Sequence, residues 1–437
     1  MSIAKLSDNL RFNLFKFSTL ESGHQTIFMN KYKYPVIFLI ALIIVLILRI
    51  PAPAGKSNIG NDIIEDRLEV NHAKEIREVL TKFDSLYSVN IGQSEAVGGA
   101  VVIVYKGQIA MTKCFGVKKA GENSLIDEHT VFRLASVSKT MTGVLAGILA
   151  AENAISLDDK VADYIPEFKS GSRENTENMT IRHLLSHTTG LVPYAFDTMV
   201  EDQVPLTKII PLLNEVEIVA PPGRVYAYQN VMFSLFDPVI AAKTNKNFQE
   251  NITEKIFNPF GMTDASVDFE SFNRNENKAF PHQAGENGFT PANPRNRYYV
   301  TAPAAGVSAS ISDMGKFLIA VLGKDDSIFS KKAHEVVFTP QVETFLKRSY
   351  YKEWDKIESK HYAIGWRIIG YKNRKIAHHG GYISGYQSEI AICEDEDIGI
   401  AVLTNSPNNY FTENVHSFFN LFIEYKDKIK QEEPVTE

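Results

Sequence analysis

The chain has 437 residues, 44% of them hydrophobic and 22% charged, and a formal net charge of −6. This composition is that of a globular protein and excludes bulk disorder, while the length favours one large domain or two interlocked domains. The charge is mild and the chain has no run rich in lysine and arginine, so nothing suggests a nucleic-acid partner.

Near the N-terminus, an unbroken apolar run at residues 36–48 predicts export. Two lysines precede the run and Arg49 follows it, a distribution that keeps the N-terminus cytoplasmic and sends the rest of the chain across the membrane. The run is short for a bilayer span of about 20 residues and fits the core of a signal peptide. We therefore predict an extracytoplasmic (periplasmic) protein in which residues 1–54 are a membrane anchor or a signal peptide, cleaved after the Ala-Pro-Ala at 52–54.

The first elements after a polar linker, residues 55–70, are a helix and a hairpin. Apolar residues recur at helical spacing over 72–86. Two stretches rich in β-branched residues, 98–105 and 108–117, lie on either side of a Lys-Gly turn and predict a β-hairpin.

The pattern then becomes mainly helical. A strand-like stretch at 131–134 leads into residues 136–151, whose small and apolar side chains cover most faces of a helix and predict a central, buried position. From about 155 to 305 no single period holds, which indicates a mostly helical lobe inserted between the strand segments.

Strand patterns return towards the C-terminus, and an amphipathic helix is expected over about 412–428. The predicted strands are 362–369, 374–379, 386–393 and 398–404. Strands at both ends predict one antiparallel sheet built from both ends of a domain at 71–430, with a tail at 431–437. The fold class is therefore α/β (α+β), with flanking helices and an inserted helical domain.

The first candidate for chemistry is the S-x-x-K motif formed by Ser136 and Lys139. The motif also occurs at 2–5 and 349–352, but only Ser136 opens an apolar helix. A serine in the first turn lies near free backbone N–H groups, and a lysine three residues later shares its face. This suits a nucleophile with an adjacent amine base; a helix-capping serine followed by an incidental lysine is the alternative.

The second candidate is Tyr228-Gln229-Asn230, which follows a Pro-Pro-Gly turn. A buried tyrosine beside a lysine ammonium can share or lose its proton and act as a base. Asn230 would offer its amide to a substrate or to Lys139. A structural tyrosine in a turn is the alternative.

The third candidate is His378-His379-Gly380-Gly381 near the end of a predicted strand. Paired glycines let a ligand approach the backbone closely, and strand alternation places His378 and Gly380 on one face and His379 on the other. A backbone N–H here, together with that of Ser136, would form an oxyanion hole. A glycine turn that closes a strand is the alternative.

Metal and disulfide chemistry have weaker support. His183 and His187 have the i, i+4 spacing of two helical metal ligands, but no glutamate lies between them and no third ligand is near. We therefore expect no metal and no cofactor. Cys114 and Cys393 are predicted to be buried thiols, with one long-range disulfide as the alternative that export would allow.

Taken together, the motifs resemble the class C β-lactamase and DD-peptidase superfamily, the β-lactamase-related serine hydrolases. The matching stretches appear in family order: FRLASVSKTMTG (132–143), IRHLLSHTTGL (181–191), PPGRVYAYQN (221–230), IFNPFGMTDAS (256–266), PAAGVSASISDMGKFL (303–318) and AHHGGYISGYQ (377–387).

The resemblance implies a sheet domain and a helical domain with the site between them. By position it makes Ser136 the acylated nucleophile, Lys139 its partner, Tyr228 the proton carrier and Asn230 a substrate-side amide. It also implies that the histidine pair at 183 and 187 is structural, and that the strands of the two cysteines are not adjacent.

In the third motif, the resemblance makes His378 and Gly380 substrate-side residues and gives Gly381 the second oxyanion N–H. The motif reads H-H-G where β-lactamases and DD-peptidases usually have K-T-G, and histidine is mostly neutral at pH 7. An esterase or peptidase is therefore expected rather than a strong β-lactamase. Gln229, where serine is commoner, is expected to affect packing more than chemistry.

The sequence thus predicts acyl transfer to water from an ester or amide in a small-molecule or peptide substrate. The expected enzyme is an esterase or a D-amino-acid peptidase, and peptidoglycan is one candidate target. If residues 1–54 stay attached, the membrane is a further partner. A catalytically silent, penicillin-binding-like envelope sensor or binding protein is the main alternative, and a metallohydrolase using the histidine pairs is the weaker one.

Overall fold

A computed structural model describes residues 74–94, 96–286, 288–323, 325–345, 351, 354, 356–406 and 409–432. The apolar run at 36–48 and the linker at 55–70 lie outside these residues, so the predictions made for them stay predictions. Within the described part of the chain, no helix has the length and apolar character that crossing a membrane requires.

The main feature is an antiparallel sheet, as the sequence predicts, and in the described part of the chain it has eight strands. The strands of the described chain are β1 (Gly98–Tyr105), β2 (Gln108–Gly116), β3 (Phe132–Arg133), β4 (His282–Gly285), β5 (Gly288–Pro291), β6 (Ser308–Ala309), β7 (Val342–Glu343), β8 (Ile357–Tyr362), β9 (Arg367–Tyr371), β10 (Arg374–Ile383), β11 (Tyr386–Cys393) and β12 (Ile398–Thr404). The large sheet has the order β2-β1-β12-β11-β10-β9-β8-β7. Because β1 pairs with β12, the sheet joins both ends of the domain.

Helices cover both faces of the sheet and form the inserted lobe. They are α1 (Arg77–Ser94), α2 (Ser138–Ala151), α3 (Arg173–Asn178), α4 (Ile181–Leu185), α5 (Asp197–Glu201), α6 (Leu206–Ile209), α7 (Asn230–Ser234), α8 (Phe236–Thr244), α9 (Phe248–Ile252), α10 (Phe269–Arg274), α11 (Ala302–Ala305), α12 (Ile311–Leu322), α13 (Lys331–Phe338) and α14 (Asn409–Glu432). Short 3-10 turns and a π turn lie between them: Ala135–Val137, Val161–Asp163, Ile210–Glu215, Thr253–Phe257, Tyr299–Thr301 and Glu394–Glu396.

The sheet separates two hydrophobic clusters. Alternate residues of β1 point to opposite faces, so Val102 and Val104 join the cluster that contains α2 and α12, while Val101 and Ile103 join the one that contains α1 and α14. A strand buried on both faces has no polar side, which explains the unbroken apolar sequence of β1. On the outer face, α1 and α14 pack together through aromatic rings such as Phe83 and Phe418, whose centroids are 5.3 Å apart.

The inserted lobe consists mostly of short helices, from α3 to α11, with the small β4-β5 ribbon near its end. Side-chain caps begin several of these helices: Asn247 accepts a hydrogen bond from the Glu250 N–H, and the Glu250 carboxylate accepts one from the Asn247 N–H. The sequence of the lobe shows no sustained helical period because most of its helices are only one or two turns long.

One predicted strand is wrong. The stretch 362–369 is not a single strand, since it spans the end of β8, a turn and the start of β9. The Ala363 N–H donates to the Trp366 carbonyl at 2.8 Å, and Gly365 has a φ of +76°, which glycine adopts without a steric penalty. The first predicted helix also lies later than expected, at 77–94.

Both cysteines are free thiols, as predicted. Cys114 packs against the inner cluster and Cys393 belongs to the outer one. Burial raises the pKa of each thiol to about 12. They lie on β2 and β11, which are separated by two strands and face opposite sides of the sheet, so no disulfide can join them.

Candidate active site

Ser136 lies in a tight turn that holds its hydroxyl at the end of a buried helix. The structure places it in the 3-10 turn Ala135–Val137, and α2 begins at Ser138, two residues later than the sequence suggests. Ala135 has a φ of +47°, a left-handed conformation that is rare for a residue with a side chain and is often found at functional sites. Ala135 and Val137 are buried, whereas Ser136 is half-buried and accessible.

Lys139 is fully buried beside this serine. Its Nζ lies 3.5 Å from Ser136 Oγ and donates to Asn230 Oδ1 at 2.7 Å and to the Ala304 carbonyl at 3.0 Å. Burial lowers the pKa of Lys139 well below its ordinary value; Asp197 opposes this effect and Arg367 adds to it. A neutral amine keeps two N–H groups for the two shorter hydrogen bonds and leaves its lone pair for Ser136. Lys139 can therefore accept a proton.

Tyr228 is the second partner of the nucleophile. Its hydroxyl donates to Ser136 Oγ at 2.9 Å, and its ring lies 4.6 Å from Lys139 Nζ. His187 fixes the segment that carries it: the His187 carbonyl accepts from the Ala227 N–H at 2.8 Å, and its Nδ1 accepts from the Gln229 N–H at 3.2 Å. The structure thus brings together Ser136, Lys139 and Tyr228, the residues that the sequence analysis selects.

The two histidines of the i, i+4 pair have separate packing roles. His183 Nδ1 accepts from the Thr180 N–H at 3.2 Å in the capping box that begins α4. The His187 ring packs on the Tyr228 ring at 4.2 Å between centroids. Among the residues that the structure describes, no cluster of side chains is suited to hold a metal ion.

Asn230 links Lys139 to a carboxylate that the sequence analysis does not identify. Its Oδ1 accepts from Lys139, and its Nδ2 donates to Asp197 Oδ2 at 2.8 Å. Burial raises the pKa of Asp197. Both ends of the Asn230 amide are thus used inside the protein, which favours the contact with Lys139 over the substrate-side role that the resemblance implies. Asp197 begins α5 outside any motif, and nothing in its local sequence would have identified it.

The third motif requires a correction. The His378 side chain lies on the outer face of the sheet, where its Nε2 is 3.3 Å from the Tyr351 hydroxyl and its ring stacks on Trp354. His379 faces the site instead, with its ring 6.3 Å from that of Tyr228. Strand alternation separates the two histidines as predicted, but it is the second that approaches the nucleophile. Burial lowers the pKa of His378 to about 3, and that of His379 well below its ordinary value.

The glycines of this motif bring β10 against the nucleophile turn. A Cβ added to Gly381 would lie 3.0 Å from Ser136 N and 2.3 Å from the Leu134 carbonyl oxygen. Pairing between β9 and β10 ends at His378, so the following backbone, including Gly380, borders the site without a β9 partner. This arrangement suits an oxyanion hole made by the amides of Ser136 and Gly381.

Arg367 is a second residue that motif analysis misses. It is 6% exposed, and its guanidinium donates to the Tyr226 hydroxyl at 2.9 Å. The guanidinium carbon lies 5.6 Å from the Tyr228 ring centroid and 5.5 Å from that of Tyr362. The only sequence signal is a charged residue at the start of an apolar strand.

Comparison with known proteins agrees with this geometry. The family model described as Beta-lactamase matches residues 71–420, most of the chain. The chain belongs to the beta-lactamase family. The matched residues include every motif from the serine turn to the glycine strand.

Two proteins of similar sequence each match more than two thirds of this chain. Protein flp of Staphylococcus aureus (strain MRSA252) is 24% identical over 357 residues, which cover 79% of this chain and 66% of that protein. Unguisins hydrolase ungD' of Aspergillus campestris (strain IBT 28561) is 25% identical over 325 residues, which cover 72% of this chain and 59% of that protein. The chain thus spans less than two thirds of the length of these relatives.

A solved structure supports the fold assignment. The octameric penicillin-binding protein homologue from Pyrococcus abyssi matches with a TM-score of 0.69 and 22% sequence identity, over 79% of this chain and 77% of that chain. At this identity, the likeness establishes the beta-lactamase/transpeptidase-like fold.

Proposed function

We propose that this protein is a serine hydrolase that cleaves an ester or amide through an acyl-enzyme on Ser136. The observation that carries the proposal is the contact of one accessible hydroxyl with two proton-handling groups, Tyr228 at 2.9 Å and Lys139 at 3.5 Å. A structural serine has no need of a buried lysine whose pKa burial has lowered.

The reaction has two steps. Ser136 Oγ bonds to the substrate carbonyl carbon while its proton passes to Tyr228 or Lys139, and the bond to the leaving group breaks as that group takes up the proton. Water then attacks the acyl carbon, the same pair accepts its proton, and the acid leaves as Ser136 regains its hydrogen. The amides of Ser136 and Gly381 would stabilise the oxyanion in both steps.

The third motif supports a proposal for the substrate class. Burial keeps both histidines neutral at pH 7, so the motif offers no permanent cation of the kind that K-T-G provides. This supports an esterase or D-amino-acid peptidase rather than a strong β-lactamase. The name of the Aspergillus campestris relative, a hydrolase, supports hydrolysis in general. The apolar run at 36–48 supports action outside the cytoplasm, where peptidoglycan is a candidate substrate.

The test is covalent labelling of the purified protein with a fluorophosphonate and with a fluorescent penicillin, followed by peptide mapping. We expect the phosphonate on Ser136 and none on the Ser136→Ala variant. Ser138→Ala is the matched control: Ser138 accepts a hydrogen bond from the Val307 N–H at 3.0 Å, and its loss should lower stability while labelling of Ser136 persists. Penicillin labelling as well would favour a peptidoglycan-type substrate. A folded protein that neither probe labels would instead be a silent binding protein.

A further inference from the structure

We propose that Arg367 supplies the fixed positive charge that holds the Lys139–Tyr228 pair one proton below its ammonium–phenol form, so that the pair can accept the proton of Ser136. The inference rests on the proposed function, since it concerns the same nucleophile. Arg367 is a positioning residue in this scheme, because it acts on the reaction through Tyr228 and Lys139 and not by contact with the reacting atoms.

The first support is geometric. Tyr226, Tyr228 and Tyr362 surround the guanidinium, with ring centroids 5.9, 5.6 and 5.5 Å from its central carbon. A hydrogen bond of 2.9 Å to the Tyr226 hydroxyl fixes its orientation. Since Arg367 is only 6% exposed, water screens its charge weakly at this distance.

The second support is a comparison of the charges that face Tyr228. Lys139 lies 4.6 Å from the ring, His187 4.2 Å, His379 6.3 Å and Tyr194 5.7 Å, and Asp197 is connected through Asn230. Burial lowers the pKa of Lys139, His187 and His379 well below their ordinary values. A guanidinium stays charged throughout the working pH range.

The chemical consequence follows from the sign of the charge. A cation near Tyr228 favours the phenolate. Burial is the main cause of the lowered pKa of Lys139, and the same cation adds to it by disfavouring the ammonium form. Both effects leave the pair ready to take the proton of Ser136. The H-H-G motif on β10 contributes no such cation, and Arg367 on β9 provides one instead.

The experiment measures the rate of fluorophosphonate labelling of Ser136 against pH, in wild type and in Arg367→Met. Methionine suits a site ringed by aromatic side chains, and apolar replacement of a buried charge is often tolerated. The charge of Arg367 lies about 6 Å from the Tyr228 ring, and we take an effective dielectric constant of about 20. Removal of this charge should then shift the acidic limb of the profile to higher pH by about one to two pH units. Arg367→Gln is a second uncharged variant in case the first does not fold.

Two controls fix the interpretation. Arg367→Lys should place the limb between those of wild type and Arg367→Met, because burial lowers the pKa of a lysine, as it does for Lys139. Asp197→Asn removes the opposing charge and should move the limb to lower pH.

An unchanged limb in folded Arg367→Met and Arg367→Gln overturns the inference. So does an unchanged limb together with a raised KM for substrates that carry a carboxylate, since Arg367 would then be a substrate anchor. Absence of labelling in wild type would instead overturn the proposed function itself.

Discussion

At the scale of single residues, burial determines the chemistry. Lys139 has the same covalent structure as the exposed Lys82, but its environment lowers its pKa. Its amine contacts the Asn230 amide, a backbone carbonyl and the Ser136 hydroxyl. The Asp197 carboxylate does not contact the amine directly and binds the other end of the Asn230 amide. An ammonium without a direct carboxylate partner is costly in a protein interior, and the neutral amine is correspondingly favoured.

The partners of Ser136 should therefore be essential for activity and dispensable for folding. Tyr228→Phe and Lys139→Met are each expected to lower kcat/KM by about 10²- to 10⁴-fold, the usual contribution of a general base. The thermal midpoint should change little in Lys139→Met, because a methionine of similar length avoids the cost of burying an amine. Steady-state kinetics and thermal melts test both statements. Lys82→Met is the control and should leave activity unchanged; a Lys139→Met variant of normal activity would contradict the assignment.

At the scale of elements, close backbone approaches hold the site together. A Cβ on Gly143 of α2 would lie 2.1 Å from the Ile364 carbonyl, and one on Gly365 would lie 2.1 Å from the Lys139 carbonyl. Helix α2 thus packs directly on the turn between β8 and β9. That turn precedes Arg367, so one contact sets the positions of both Lys139 and Arg367.

The contact between β10 and the serine turn gives a further prediction. Gly381→Ala should displace the Leu134 carbonyl, which lies 2.3 Å from the added carbon, and disturb the amide of Ser136. We expect kcat/KM to fall by about 10²- to 10³-fold, as for loss of an oxyanion donor. Gly92→Ala is the control, since Gly92 lies in α1 with no atom within 4 Å of the new carbon. Near-normal activity of Gly381→Ala would show that this backbone does not serve the reaction.

At the scale of the whole molecule, buried histidines couple folding to pH. His378 is 2% exposed and its pKa is lowered to about 3 by burial, with a contribution from Arg367. The unfolded chain binds a proton at this residue near pH 6.5, so the stability that His378 contributes is present above that pH and lost as the pH falls towards 3.

The difference between wild type and a variant isolates this effect. We expect the stability advantage of wild type over His378→Gln to shrink by about 2 kcal/mol between pH 7 and pH 5. Denaturant titrations at the two pH values provide the measurement. His129 is the control, because its hydrogen bond to Asp264 raises its pKa and its contribution is lost as the pH rises. A His378 difference that does not depend on pH would contradict a buried neutral side chain.

Local sequence determined most of the architecture. The strands 98–105, 386–393 and 398–404 have the predicted bounds, because strand period and turn residues are local properties. Ser136, Lys139, Tyr228 and Asn230 became candidates because several motifs occur together along the chain, whereas each motif alone left a structural alternative open. The turn at 363–366 was missed because Gly365 is its only local signal.

Only the tertiary structure decided which side chains surround the nucleophile. Asp197 and Arg367 lie in no motif, and they reach the site because α5 and β9 are placed there by packing. The fold also assigns His379 to the site and His378 to the outer core, since the face of β10 is set by its pairing with β11. Sequence carries the identity of a reactive group, but its protonation state depends on burial and on charges that are distant in the chain.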